Sequence, residues 1–369
     1  MNDDRLQSRV IDFLRFPMAV LVVLCHCKTL FGIAGGPAHA GQGIQLFLAE
    51  VLPHIAVPVF VFFSGYLFFY RTDFSLAVYG QKLQRRVKSL LLPYVIWCTI
   101  GFGLAVLQGQ CALTFKNYMY GFWDTTAWME LPSHIHAAFP ADMPLWFVRD
   151  LMVMTVLAPV IWWLIKHTGS MLPILTGIWW FSHWMANIPG LGSQIVFFWI
   201  LGAWFSIKGL NLVDTTRKWR IPVYVLAAVF MIADFVILNA RFKISGALEY
   251  CWPVFNAFVL FGVFATIQGT ASLLSVKPEW STSNFWITGS FFLYAIHFLY
   301  SPNLMAWLGR LLDPETPLAH LGFYLLLCLL VIGLATGLYA IMYRQLPSVA
   351  SILVGGRIRK NSNPNYEVE

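Results

Sequence analysis

The sequence predicts an all-α polytopic membrane protein with about ten transmembrane helices and both termini in the cytosol. Three observations carry that expectation. Of 369 residues, 59% are hydrophobic and only 11% charged, whereas a soluble chain needs roughly 25% charged residues to face water. Ten apolar runs approach the roughly 20 residues that a helix needs to cross the hydrocarbon core: about 11–31, 48–69, 89–108, 146–165, 171–187, 193–208, 221–239, 251–270, 286–307 and 321–342. With the N-terminus inside, 18 of the 24 Lys and Arg residues fall on the inner side and 6 on the outer, the asymmetry expected of cytosolic loops.

The same numbers exclude other classes. The net charge of +7 resides in short loops between apolar runs, so topology accounts for it and no nucleic-acid partner is implied. The six cysteines show no CxxC and no metal-ligand spacing, which argues against a disulfide framework and a zinc site. The longest gap between runs is 109–145, too short for a separate soluble domain. Residues 1–345 therefore read as one transmembrane domain and 346–369 as a polar cytosolic tail. Asp3, Asp4, Arg5 and Arg9 precede a full-length first span without a small-residue cleavage pattern, so that span reads as a signal anchor.

The first span, RVIDFLRFPMAVLVVLCHC, holds Asp12, Arg15 and His26. An ionisable group inside a span costs about 2.5–3.5 kcal/mol on the insertion scale and needs a reason. His26 lies eleven positions after Arg15; at about 100° per step the two close on one face, about 16–17 Å apart along the axis. Asp12, three residues before Arg15, shares that face, and Pro17 threatens the local hydrogen bonding. Singly, Arg15 can be an interface anchor with Asp12 as counter-ion, and His26 a buried histidine bonded to another helix. Together they read as a polar stripe facing the bundle interior, with a base suited to neutral pH at its far end.

The second run ends in SGY. Gly65 permits close backbone approach, and Ser64 and Tyr66 are candidate ligand contacts; Ser64 lacks the frame of a catalytic nucleophile. The following QKLQRRVKSLLLPY places Arg85, Arg86 and Lys88 on one inner turn. The positive-inside rule explains a basic loop, and a clamp for an anionic ligand, which the planar fork of Arg suits, is the functional alternative. The outer loop before the fourth run is aromatic and contains His134 and His136; interfacial packing is its plain reading. PLWFVRDL then sets Trp146 and Arg149 on one face. Arg149 and Asp150 lie about 100° apart, which favours separate partners on other helices. His183 and Asn187 close the fifth run, and Asp234 lies inside the seventh without a basic neighbour on its own turn. In the ninth, Ser290, Tyr294 and His297 recur at i, i+4 and i+7 as one stripe, with Tyr300 three residues on. That stripe should face the one on the first span.

In order along the chain, IDFLRF with Asp12, the Arg15-x10-His26 spacing, FFSGYLF, RRVKSLLLPYVIW, PLWFVRDL and FFLYAIH resemble the motifs of the acyltransferase-3 family of integral membrane acyltransferases. The resemblance covers nearly the whole chain. It implies acyl transfer, usually from acetyl-CoA on the inner side, to a hydroxyl of a glycan, a lipid-linked sugar or a small molecule. It makes His26 the base, with Arg15 and Asp12 as its partners. It brings Arg85, Arg86 and Lys88 to the CoA phosphates, with Ser64 and Tyr66 nearby, and leaves Trp146, Arg149, Asp150, Tyr294 and His297 for the acceptor. It also implies an inner-membrane location, acyl-CoA as co-substrate and no metal. No SGNH-type soluble domain follows the last run, so a relay to one would need a separate protein. A transporter or flippase would use the same stripe as a substrate path; against it stands the absence of a detectable repeat.

Overall fold

The computed structural model describes residues 3–28, 40–128, 139–182, 188–243, 251–356 and 358. His134, His136, His183, Asn187 and most of the last dozen residues lie outside this set. Among the described residues the chain is helical throughout, apart from one isolated bridge between Ile188 and Leu191. Each of the ten apolar runs falls on a helix. We number these α1 (Asp3–His26), α2 (Gly43–Phe69), α3 (Leu76–Leu107), α4 (Met143–Thr168), α5 (Met171–Ser182), α6 (Ser193–Ile207), α7 (Arg220–Lys243), α8 (Trp252–Val276), α9 (Asn284–Leu312) and α10 (Pro317–Gln345). Among the described residues, α2, α3, α4, α7, α8 and α10 are long and apolar enough to cross a membrane. Helices α5 and α6 are shorter, while α1 and α9 are long and carry the polar stripes.

The stripe-bearing helices sit centrally. Helix α1 packs on α2, α8, α9 and α10, burying Val10, Leu14, Met18, Val22 and Val23. It remains one helix through Pro17, so the expected disturbance does not break it. Helix α7 is peripheral: Val225, Val229, Ile232 and Val236 stay exposed at helical spacing and turn one apolar face outward. All six cysteines are free.

Helices α2 and α6 cross through a reciprocal pair of glycines. A Cβ on Gly65 would stand 2.1 Å from the Trp199 carbonyl oxygen, and one on Gly202 would stand 2.1 Å from that of Phe62. Only hydrogen fits at either place, which accounts for the glycine of the SGY segment. Two π-helical turns lie within the long helices, Phe47–Val51 in α2 and Val87–Leu91 in α3. Such turns shift the phase of a helix and re-aim its side chains. The segment expected to be a polar tail begins as a helix, Pro347–Leu353, docked against α3. Trp97 Nε1 donates to Leu353 O at 3.1 Å, Ala350 and Val354 are fully buried, and Gly355 abuts the Ser89 backbone. Apolar burial explains the departure, because PSVASIL is not polar.

Candidate active site

A cavity of about 290 Å³ opens between α1, α2, α3, α4 and α9. Arg15, Ser64, Arg86, Ser89, Ser290 and Tyr294 supply its polar lining, and Ile11, Phe60, Phe63, Phe147, Leu151 and Phe291 much of the rest. Its size lies near the lower end of small-molecule pockets, roughly 300–1,000 Å³. It admits a thin chain more readily than a whole nucleotide.

At one end two guanidinium groups converge. Arg15 and Arg86 lie close enough to bear on each other's charge. Arg86 stacks over the Phe68 ring at 5.9 Å. Arg15 Nε is 3.4 Å from Asp12 Oδ1, an ionic contact, yet this buried nitrogen makes no hydrogen bond. Ser89 reaches the cavity from the π-helical turn of α3.

Beyond Tyr294, one turn further along α9, lies His297. Its Nδ1 is 2.7 Å from Tyr294 O and 3.2 Å from Leu293 O. Its Nε2 is 3.2 Å from His26 Nδ1, which itself lies 2.9 Å from Val22 O. His297 is fully buried. The α1 and α9 stripes thus face each other, with Arg15 and Tyr294 on one cavity and His26 against His297 above it. The engagement of both His297 nitrogens leaves neither for an acceptor sugar, unlike the role the sequence implied.

Next to His26 stand residues that the sequence reading passed over. Lys28 Nζ is 2.6 Å from Glu50 Oε1, and both charges bear on His26. Glu50 sits on the π-helical turn of α2, so helical periodicity alone would misplace it. His54, another turn on, stacks edge-on against Phe255 with ring centroids 4.9 Å apart.

Other expected site residues lie elsewhere. Ser64 lines the cavity, but Tyr66, about 200° further around α2, points the other way. Its single hydroxyl hydrogen is shared between Gln7 Oε1 at 3.1 Å and Leu210 O at 3.2 Å. There it borders a second, polar cavity of about 530 Å³ lined by Asp4, Arg71, Asp73, Lys166 and Asn211 among others. Arg85 and Lys88 are exposed and line neither cavity, because they flank Arg86 on other faces. Trp146 packs, half-buried, on the core.

Arg149 and Asp150 correct the expectation of separate partners: they pair with each other. Arg149 Nε and Nη2 each lie 3.0 Å from Asp150 Oδ1, and both side chains are 2% exposed. The long Arg side chain bridges the 100° that separates the two on the helix. Asp150 Oδ1 also accepts from Gly190 N at 3.0 Å. Arg149 donates to Trp123 O at 2.5 Å and lies over the Trp123 ring. The pair ties α4 to the loop after α3 and to the turn before α6. The loop aromatics pack likewise: Tyr118 and Trp128 lie edge-on or tilted against Phe102, at 5.4 and 5.7 Å. Tyr300 donates to Val331 O on α10 at 2.5 Å. Asp234 is buried with Oδ2 unbonded, on the peripheral α7. Immediately before α4, Asp142 is wholly buried with neither carboxyl oxygen hydrogen-bonded, and burial pushes its pKa well above the usual carboxylate value. Among the described residues no three His, Cys, Asp or Glu side chains are grouped to hold a metal.

Comparison with known proteins agrees with this arrangement of motifs. Residues 9–340 match the acyltransferase-3 family model, described as an acyltransferase domain. The succinoglycan biosynthesis protein ExoH of Rhizobium meliloti (strain 1021) is 29% identical over 176 residues, which are 46% of this chain and 45% of that protein. The chain thus matches less than half the length of this relative. No solved structure matches. With the family model extending from within α1 to within α10, the chain belongs to the acyltransferase-3 family of membrane acyltransferases.

Proposed function

We propose that this protein is an inner-membrane O-acyltransferase that moves an acyl group, in the simplest case acetyl, from acyl-CoA to a hydroxyl of a glycan or lipid-linked sugar. The observation that carries the reading is the convergence of Arg15 and Arg86 on one cavity whose far wall is Tyr294. Two like charges facing one space call for an anionic ligand, and acyl-CoA is a polyanion with a long, thin arm. The polysaccharide context of the relative's name supports a glycan acceptor.

The nucleotide end of acyl-CoA stays at the inner surface, where Arg86 meets its phosphates. The pantetheine arm runs past Arg15 and Ser64 towards Tyr294. The acceptor approaches from the outer side, beside Lys28 and Glu50. His26 removes the hydroxyl proton, the oxygen attacks the thioester carbonyl, and the C–S bond breaks. The thiolate takes the proton from His26, giving the O-acyl ester and free CoA. Tyr294 is the nearest candidate to donate to the oxyanion. This path requires both termini in the cytosol. The gathering of Asp4, Arg71, Lys166 and Asn211 around one polar cavity supports placing those four segments on one side of the membrane.

The test is glycan analysis of cells carrying the wild-type gene, no gene, or the His26→Ala variant, with acyl-CoA binding measured on purified protein. The O-acyl group should disappear without the gene. The variant should insert and bind acyl-CoA, with transfer reduced about 10²–10⁴-fold. Near-normal transfer by a correctly inserted variant would overturn the assignment of His26.

A further inference from the structure

The contacts around His26 fix more than its position. Carbonyl oxygens only accept hydrogen bonds. His297 Nδ1, at 2.7 Å from Tyr294 O, therefore carries a hydrogen, and in the neutral ring its Nε2 is a lone pair. That lone pair lies 3.2 Å from His26 Nδ1, whose other neighbour, Val22 O at 2.9 Å, is again an acceptor. With acceptors on both sides, His26 Nδ1 must carry its hydrogen, which leaves the lone pair of the neutral ring on Nε2.

We propose that His297 is a positioning residue: its Nε2 shares the His26 Nδ1 hydrogen with Val22 O, helps to hold His26 in the tautomer whose Nε2 can take a proton, and steadies the imidazolium that results. The role parallels the carboxylate that orients the histidine of a hydrolytic triad, with a neutral ring as acceptor. The proposal rests on the reading of His26 as the base. The proton from the acceptor hydroxyl goes to His26 Nε2 and returns from there to the departing thiolate; His297 gains and loses no proton. The burial of the pair explains the choice of acceptor. A carboxylate at position 297 would be a second ionisable group buried at the base, whereas a neutral imidazole held by its own helix carbonyls brings no charge. The α9 spacing builds the device locally, since the same turn that puts Tyr294 on the cavity supplies the carbonyl that sets the His297 tautomer.

The experiment compares His297→Gln with His297→Leu in the full-length protein, reading acetyl transfer from acetyl-CoA to the acceptor glycan. Gln places an amide oxygen near the position of Nε2 and cannot take up a proton at neutral pH; Leu offers no acceptor and leaves Val22 O alone on His26 Nδ1. The Leu variant should lose about 10–100-fold in kcat with KM for acetyl-CoA within about twofold of wild type, and the Gln variant should recover most of that loss. If the Leu variant fails to insert, His297→Phe serves as the acceptor-free ring. A Leu or Phe variant with wild-type kcat overturns the proposal, as does a Gln variant as impaired as they are. His26→Ala, run alongside, separates the two claims. Normal transfer there rejects the base itself, whereas an inactive His26→Ala beside a fully active His297→Leu rejects only the positioning role.

Discussion

Two arginine–aspartate pairs lie in this protein, and they differ in what their nitrogens have left to do. Arg149 and Asp150 are 2% exposed, and their contacts extend to Trp123 and Gly190. Asp12 and Arg15 are 38% and 29% exposed, 3.4 Å apart, and the buried Arg15 Nε has no hydrogen-bond partner. The first pair closes a network between a helix and two loops. In the second, the arginine faces a cavity shared with another arginine. In a bundle where ionisable groups are costly, a satisfied pair can be explained by structure alone. A guanidinium with an unbonded nitrogen beside a second arginine on one cavity points to an anionic ligand.

The largest effect that could break this comparison comes from Arg149→Met. Removing one partner of a buried pair leaves an uncompensated charge and typically costs about 3–5 kcal/mol. The variant should show a sharp fall in folded yield and melting midpoint, and the double variant Arg149→Met/Asp150→Leu should recover much of it. A stable single variant that had lost only transfer would return Arg149 to the acceptor site. Next in size, Arg15→Gln should leave the melting midpoint nearly unchanged, because half-exposed pairs contribute about 0–1 kcal/mol. Its affinity for acyl-CoA should fall about tenfold, the scale of one charge-assisted contact at about 1.5 kcal/mol. Collapse of the fold in Arg15→Gln would make the two pairs equivalent.

What the sequence made legible follows the range of the interaction. The stripes of Asp12, Arg15 and His26 and of Ser290, Tyr294 and His297 are fixed by helical repeat within single helices, and the structure turns them towards each other. The ten apolar runs are likewise local, and among the described residues each falls on a helix. Tyr66 was out of reach because the rotation of α2 is set by its glycine crossing with α6, a tertiary contact. Glu50 and Ser89 sit on π-helical turns, where the 3.6-residue repeat does not apply. The Arg149–Asp150 pairing is hidden from the sequence because the 100° between the two Cα directions is bridged by the length of the Arg side chain. The docked helix Pro347–Leu353 is too short and too mildly apolar to stand out without the surface of α3.

An effect of the same size sharpens the ligand side. Of the basic turn, Arg86 lines the cavity, whereas Arg85 and Lys88 are exposed. Arg86→Ala should weaken acyl-CoA binding about tenfold, one charge-assisted contact at about 1.5 kcal/mol. Arg85→Ala should change it less than about threefold, and mainly at low salt. Equal losses in both, measured by acyl-CoA titration of correctly inserted protein, would replace the single contact by a diffuse basic surface.

The smallest expected effect concerns Asp142, a third kind of buried charge with no partner on either carboxyl oxygen. Burial raises its pKa in the folded state above the unfolded value of about 3.9. For a group raised in this way the folded state is favoured most below the unfolded pKa. Stability is then lost as pH rises from about 4 towards the raised value. Asp142→Asn keeps the shape and removes the titration. Its melting midpoint should exceed that of the wild type by a few degrees at neutral pH, and the difference should vanish below about pH 4. Subtracting the two melting curves at each pH cancels the other carboxylates, which both proteins share. A variant less stable than wild type at neutral pH would mean that Asp142 is ionised and held by a cation. It would then belong with Asp150 as a completed pair, and desolvation by burial alone would no longer describe it.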